Sequence, residues 1–260
     1  MSGHSKWSTI KRQKGAADIR RGQTFTKVAN AITIAVKQGG SGDADSNPRL
    51  RAALEDAKAV NMPKDNIQRA INRGLGKVAG QALEEVVFEG FGPAKVAFLA
   101  EGVTDNRLRT LQEVKNLFER SGGSLAGSGS VVYMFDRKGE IRIRGQGTGN
   151  SEQEMLELID LGAEDVEDYM EEPFDFAQGK NIQKYLVSVE SSELNTMSNK
   201  ITQAGYEVEQ AEIVFKPNTL VEIKDPEVAK KVLEFAEKLE DLDDIQKVYA
   251  NFDIPDNLLG

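Results

Sequence analysis

Apolar and polar positions follow two different rhythms along the chain. Up to about residue 77 the spacing is helical. Phe25, Val28, Ala29, Ile32, Ala35 and Val36 recur every three or four residues, and Gly39-Gly40 ends the run. Gly39–Asp45 reads as an exposed loop. Ser46 or Asn47 is placed to cap a helix with Pro48 in its first turn, whose Leu50, Ala53, Leu54 and Ala57 face one way. Pro63 opens a third helix carrying Ile67, Ala70 and Ile71, closed by Gly74. Residues 1–23 are rich in Gly, Lys and Arg and poor in apolar side chains; Trp7, Ile10 and Ala17 allow only a weak helix.

After the Gly74–Gly80 linker the pattern becomes mixed. Val86–Phe91 and Lys95–Glu101 read as strands around a Gly92-Pro93 turn. Asp105 is the expected cap of a helix with Leu108, Leu111, Val114 and Phe118 on one face, stopped by Gly122-Gly123. Val131–Phe135 is a predicted strand, and Ile141 and Ile143 alternate with Arg142 and Arg144 in the period of another. Helices are expected over Glu152–Leu161 and Ser192–Ala204, and strands over Asp165–Tyr169, Tyr185–Glu190 and Glu207–Phe215. A strand at Leu220–Ile223, a helix capped by Asp225-Pro226 and a strand at Ile245–Phe252 complete the chain. Residues 137–216 thus spell β-α-β-β-α-β, the split βαβ order of a ferredoxin-like unit. The expectation is an α+β protein of three domains. These are a basic helical domain (1–79), an α/β domain built from 80–136 and 217–260, and a ferredoxin-like α/β domain (137–216) inserted into it.

Composition narrows the chemistry. The chain has no cysteine and one histidine, His4, which removes disulfides, thiolate nucleophiles, Cys-ligated zinc and multi-His metal sites. No apolar run approaches the roughly 20 residues of a membrane span, and the N-terminal stretch has charge but no apolar segment of a signal peptide, so a cytoplasmic protein is expected.

The net charge of −9 argues at first against nucleic acid, but it averages two opposites. Residues 1–77 hold 15 Lys and Arg against 6 Asp and Glu, a net of +9. The remainder holds 18 against 36, a net of −18. The first 37 residues contain eight basic side chains and one acid, Asp18. A basic face kept only for solubility needs no such segregation by sign. The series Lys6, Lys11, Arg12, Lys14, Arg20, Arg21 and Lys27 is therefore the candidate nucleic-acid-binding site. Trp7, the only tryptophan, either anchors this arm to the first helices or stacks on a base. Arg49, Arg51, Arg69 and Arg73 extend the footprint or snorkel.

The remaining motifs carry less. Gly122–Ser130 is glycine-rich but lies between a helix and a strand with no following Lys, the reverse of a phosphate loop; a flexible connection is the better reading. Gly145–Gly149 has Asn150 where a dinucleotide site needs glycine. The acidic stretch Glu164–Asp175 lacks metal-loop spacing and reads as a solvated edge, with docking of a basic partner as its functional alternative. No catalytic residue, metal site, cofactor or small-molecule substrate is nominated.

Several of these segments together resemble one family. Ser2–Ile32 (SGHSKWSTIKRQKGAADIRRGQTFTKVANAI), Asn61–Ile71 (NMPKDNIQRAI), Val87–Phe98 (VFEGFGPAKVAF), Asp105–Thr110 (DNRLRT) and Gly122–Phe135 (GGSLAGSGSVVYMF) are similar to the YebC/PmpR family of transcriptional regulators. The likeness runs nearly end to end. It departs at Val87-Phe88, where many members have an aromatic pair, and at Ala29-Asn30-Ala31, where an acidic residue is common. The resemblance implies a helical N-terminal domain plus two α/β domains, a cytoplasmic bacterial protein and no enzymatic activity. Members are labelled DNA-binding transcriptional regulators. A mitochondrial relative activates translation of a cytochrome oxidase subunit, and some bacterial members resemble ribosome-associated factors that relieve stalling. DNA and ribosomal RNA, with the ribosome as a possible partner, therefore both stand as expected targets. The arm itself shows no recognition helix, which leans toward RNA.

Overall fold

The structure is a computed structural model, and it describes residues 19–78, 82–146, 150–171, 182–255 and 258. The chain divides into two compact units. One is residues 135–216; the other comprises the described residues before 135 and those from 217 onward.

The larger unit begins with three helices, α1 (Ile19–Gly39), α2 (Pro48–Ala59) and α3 (Lys64–Gly74). α2 and α3 both pack on α1 around Ile32, Ala35, Val36, Leu50, Ala57 and Ala70. Asn47 is the α2 cap, its Oδ1 accepting the Leu50 amide at 3.1 Å while its side-chain amide donates to the Ala35 carbonyl. Gly74 permits the close crossing of α3 over α1. A Cβ there would lie 2.6 Å from both the Thr33 carbonyl oxygen and the Val36 side chain. The expected three-helix reading of this segment matches these elements.

A four-stranded sheet follows, with β1 (Glu84–Phe91), β2 (Ala97–Thr104), β3 (Ser124–Ala126) and β9 (Ile245–Ala250) in the order β3-β1-β2-β9. All its recorded pairings are antiparallel. Helices α4 (Arg107–Arg120) and α7 (Pro226–Glu240) cover one face. Phe98, Phe118 and Phe235 meet edge to face at the centre, with centroids 4.8–6.5 Å apart. Two short parallel strands, β8 (Val221–Glu222) and β10 (Phe252–Asp253), lie beside it.

The unit of residues 135–216 has β4 (Phe135–Arg144), α5 (Ser151–Asp160), β5 (Asp165–Glu171), β6 (Ile182–Glu190), α6 (Leu194–Gln203) and β7 (Glu207–Pro217). Its sheet order, β5-β6-β4-β7, is that of a ferredoxin-like fold. Ile141 and Ile143 pair with Val187 and Tyr185 and point into a core with Leu158 and Ile201. The α+β class and the β-α-β-β-α-β order are as read from the sequence.

Four local expectations fail, each for a tertiary reason. The cap of α4 is Asn106, whose Oδ1 accepts the Arg109 amide at 3.1 Å; Asp105 instead pairs with the Arg109 guanidinium. The buried face of α4 is Thr110, Val114 and Phe118, while Leu108 is 77% exposed. Val131–Phe135 is not one strand: a 3₁₀ turn occupies Val132–Met134 and β4 starts at Phe135. The expected Ile245–Phe252 strand breaks at Asn251, whose side chain accepts from the Ala97 amide at 2.8 Å and donates to the Thr219 carbonyl at 3.0 Å.

The glycine-rich Gly122–Ser130 segment is also more than a flexible connection, because it contains β3 and encloses an anion of the protein's own. Glu89, only 5% exposed, accepts the amides of Gly129, Val131 and Val132 at 2.7–2.8 Å. Burial alone would raise its pKa, but these amides outweigh burial and hold it below the ordinary carboxylate value. A carboxyl with a lowered folded pKa stabilises fully above its unfolded value, about 4.3, and loses that contribution as pH falls through the folded value. Glu89→Gln is therefore expected to destabilise the fold by about 2–3 kcal/mol near neutral pH. The gap to the parent should narrow steadily below about pH 4. Urea denaturation of both proteins at several pH values checks this; a gap independent of pH would contradict it.

Candidate nucleic-acid interface

The sequence-nominated residues divide by position. Lys6, Trp7, Lys11, Arg12 and Lys14 lie outside the described residues, as does His4. Arg20 and Arg21 fall in the first turn of α1. Lys27 sits two turns further on, and its Nζ donates to the Glu240 carbonyl at the C-terminal end of α7. Beside it Gln23 Nε2 donates to the Asp241 carbonyl at 3.2 Å, and later on the same helix Lys37 Nζ donates to the Leu83 carbonyl at 2.7 Å. The last carbonyls of a helix have no intrahelical partner and carry the negative end of its dipole, so a lysine there satisfies both. Lys27 is thus engaged in holding α1 against the sheet-bearing part.

Of the later arginines, Arg49 pairs with Glu85 and Gln38, and Arg51 donates to the carbonyls of Ala44 and Asp45. The Glu85 carboxyl, though raised by burial, is brought below its ordinary value by the bonds from Arg49 and Gln38.

The outward row of α3 is different. Ile67, Ala70 and Ile71 face α1, which turns Lys64, Asp65, Gln68, Arg69 and Asn72 the other way. Gln68 Nε2 donates to Asn72 Oδ1 and Arg69 Nη2 to Asn66 Oδ1, both at 3.3 Å. The α2–α3 turn is closed by Asn61 in the left-handed region (φ 55°), with the Met62 amide bonded to the Ala57 carbonyl at 2.8 Å. Lys58, Lys64, Arg69 and Lys77 are exposed and make no ion pair among the described residues. Sequence reading noted Arg69 but passed over Lys58, Lys64 and Gln68. The signal was present as Lys64, Gln68 and Asn72 at i, i+4 and i+8, opposite the apolar positions.

Elsewhere many cations are neutralised. Arg109 bridges Asp105 and Asp244 at 3.1 and 2.7 Å. Asp244 also accepts the Thr104 and Thr110 hydroxyls, and although burial raises its pKa, Thr110 and Arg109 bring it below the ordinary value. In the unit 135–216, hydrogen bonds from Lys138 to Glu164 and Glu190 raise the lysine's pKa. There, Lys216 lies 3.9 Å from Glu167, whose pKa burial raises. The acidic stretch, described to Glu171, is largely the edge strand β5 and so partly neutralised rather than wholly solvated.

RNA-binding sheets of this topology stack bases on aromatic side chains of the two central strands. Here β4 and β6 present Glu140, Arg142, Lys184, Leu186 and Ser188 on the face away from the helices, while Tyr185 points inward at 0% exposure. Among the described residues those central strands offer no stacking platform.

Two family models cover almost the whole sequence: the TACO1/YebC protein N-terminal domain over residues 5–77 and the TACO1/YebC second and third domain over residues 83–252. The chain belongs to the TACO1/YebC family. It is 45% identical over 262 residues to a "Probable transcriptional regulatory protein" of Fusobacterium nucleatum, covering 100% of this chain and 98% of that one. A protein of the same name from Thermotoga maritima is 44% identical over 98% of this chain and 95% of its own. The crystal structure of a conserved hypothetical protein from Aquifex aeolicus matches with a TM-score of 0.79 and 39% identity, over 94% of this chain and 96% of that one. No helix among the described residues is long and apolar enough to cross a membrane.

The engaged state of Lys27 separates its role from that of the α3 cations. Lys27→Ala is expected to lower stability by about 1 kcal/mol, since an orphan helix-end carbonyl loses its partner. Lys64→Ala, at an exposed site, should change it by less than about 0.5 kcal/mol. Thermal melts of the two variants decide this.

Proposed function

We propose that this TACO1/YebC-family chain is a nucleic-acid-binding regulator of gene expression, acting on DNA through its basic head. The observation carrying this reading is the segregation of charge, +9 on residues 1–77 against −18 on the rest. Within the head, Lys58, Lys64, Arg69 and Lys77 are exposed and unpaired among the described residues, as cations meant for an external polyanion must be. The names of the curated relatives point the same way. We further propose the three-domain division, with residues 1–79 as the binding domain.

DNA is favoured over RNA by α3. Gln68, Arg69 and Asn72 lie on one outward face of a helix that follows a short turn, and Gln, Asn and Arg are the side chains that form bidentate bonds with major-groove base edges. In the free protein Gln68 donates to Asn72 and Arg69 to Asn66, bonds that base edges would replace. The arm residues Lys6, Lys11, Arg12, Lys14, Arg20 and Arg21 supply phosphate contacts, and Trp7 either anchors or stacks.

Binding to duplex DNA is expected to weaken with salt, with log K falling against log[salt] at a slope of about −4.5 if about five phosphates are neutralised. Reversing Lys11, Arg12 and Lys14 to Glu should abolish binding without unfolding the protein. Lys64→Ala should reduce the slope by about 0.9, and Lys27→Ala should leave it unchanged. Fluorescence anisotropy across a salt series measures all three. Arm-dependent comigration with ribosomal subunits on a sucrose gradient, without a duplex shift, would instead favour a translation factor.

A further inference from the structure

The sheet of the unit 135–216 carries its helices on one face. Leu158 of α5 and Met197 and Ile201 of α6 pack there on Ile141, Ile143, Tyr185 and Val187. Strand alternation turns Glu140 and Arg142 of β4, Leu186 and Ser188 of β6 and Glu167 of β5 to the opposite face. Such a second face of an antiparallel sheet is ordinarily open to water. Here Leu186 is 6% exposed, Ser188 3% and Glu140 8%. Ion pairs along the face, Arg142 with Glu140 and Lys184 with Glu209, account for part of this shielding.

Glu167 is the group that the face leaves over. Its Oε2 is shielded from water and accepts no hydrogen bond among the described residues. Lys216 Nζ lies 3.9 Å from Oε1, outside hydrogen-bond range, and donates instead to Ser188 Oγ. A buried carboxylate oxygen normally has a donor. Burial without one pushes the Glu167 pKa up, although Lys216 pulls the other way. The face therefore has room, in electrostatic terms, for one more cation in front of β5.

Charge and chain length identify the occupant. Residues 135–216 hold 18 Asp and Glu against 8 Lys and Arg, a net of −10, which repels a nucleic acid. Residues 1–18 precede α1, lie outside the described residues, and hold Lys6, Lys11, Arg12 and Lys14 against Asp18 alone. A segment of that length extends up to about 60 Å, so it is not confined to the helices that follow it. We propose that residues 1–18 dock on the open face of the β5-β6-β4-β7 sheet, with a cation of the arm set against Glu167. Ile10 beside Lys11 in the arm matches Leu186 opposite Glu167 on the sheet, an apolar contact next to an ionic one. One consequence rests on the reading of the arm as a nucleic-acid contact: docking withholds its cations until a polyanion competes for them.

Zero-length carbodiimide coupling of the full chain, read by peptide mass spectrometry, is expected to join Lys11 or Lys14 to Asp165, Glu167 or Glu209. Asp165→Lys, at an exposed position on this face, should lower the yield of links to Glu167 and Glu209 several-fold. Glu152→Lys makes the same charge change at an exposed position on α5 and should leave them intact. Absence of links, links only to acids elsewhere in the chain, or equal loss in both variants overturns the proposal. In a mixture of ¹⁵N-labelled and unlabelled protein, links that join the two isotopes make a second copy's arm the occupant and overturn docking within the chain. If Asp165→Lys fails to melt cooperatively, Glu209→Lys replaces it. Duplex binding is read separately. Asp165→Lys should tighten it more than Glu152→Lys does, and equal tightening overturns the withholding of cations. Failure of the parent protein to bind duplex removes the nucleic-acid reading, while the links still decide docking.

Discussion

α1 is buried on two sides at once, and the arrangement of the larger unit depends on that. Ile32, Ala35 and Val36 face α2 and α3. Ile34, one position round the helix, meets Leu83 and Val103 of the sheet-bearing part. An ordinary surface helix hides a single stripe. Here the segment from Asn30 to Val36 is buried almost throughout, and polar bonds from Gln23, Lys27 and Lys37 flank the apolar contact. Each fully buried Ile or Val contributes about 1.5–3 kcal/mol, and the flanking bonds about 1 kcal/mol each, so the apolar seam dominates and the polar bonds fix its register. That seam leaves the outer row of α3 facing solvent.

The same seam explains how a +9 head coexists with a −18 body in one chain. Attraction between them would draw the head's cations onto the body if both sets were free. Across the seam Lys27 and Lys37 donate to carbonyl oxygens, and Arg49 forms an ion pair with Glu85. Many of the body's own cations pair locally, as Lys184 does with Glu209. With a Debye length of about 8 Å at physiological salt, exposed charges farther apart than that are largely screened from one another.

What the sequence revealed was whatever rests on local periodicity or local caps. The three helices of the head, with Asn47-Pro48 and Pro63 at their starts, and the β-α-β-β-α-β order of the unit 135–216 were readable because the apolar spacing changes at their borders. What stayed hidden depends on distant partners. Asn251 breaks a strand because Ala97 and Thr219 need its side chain, 154 and 32 residues away. Leu108 looked like core, but α4 is rotated to bury Thr110, whose hydroxyl is bonded to Asp244. Glu89 gave no sign in sequence that it would fill the glycine-rich loop from 40 residues upstream. The site was half legible for the same reason. A run of cations shows in composition, whereas the engagement of Lys27 by a carbonyl at Glu240 shows only when the helices are packed.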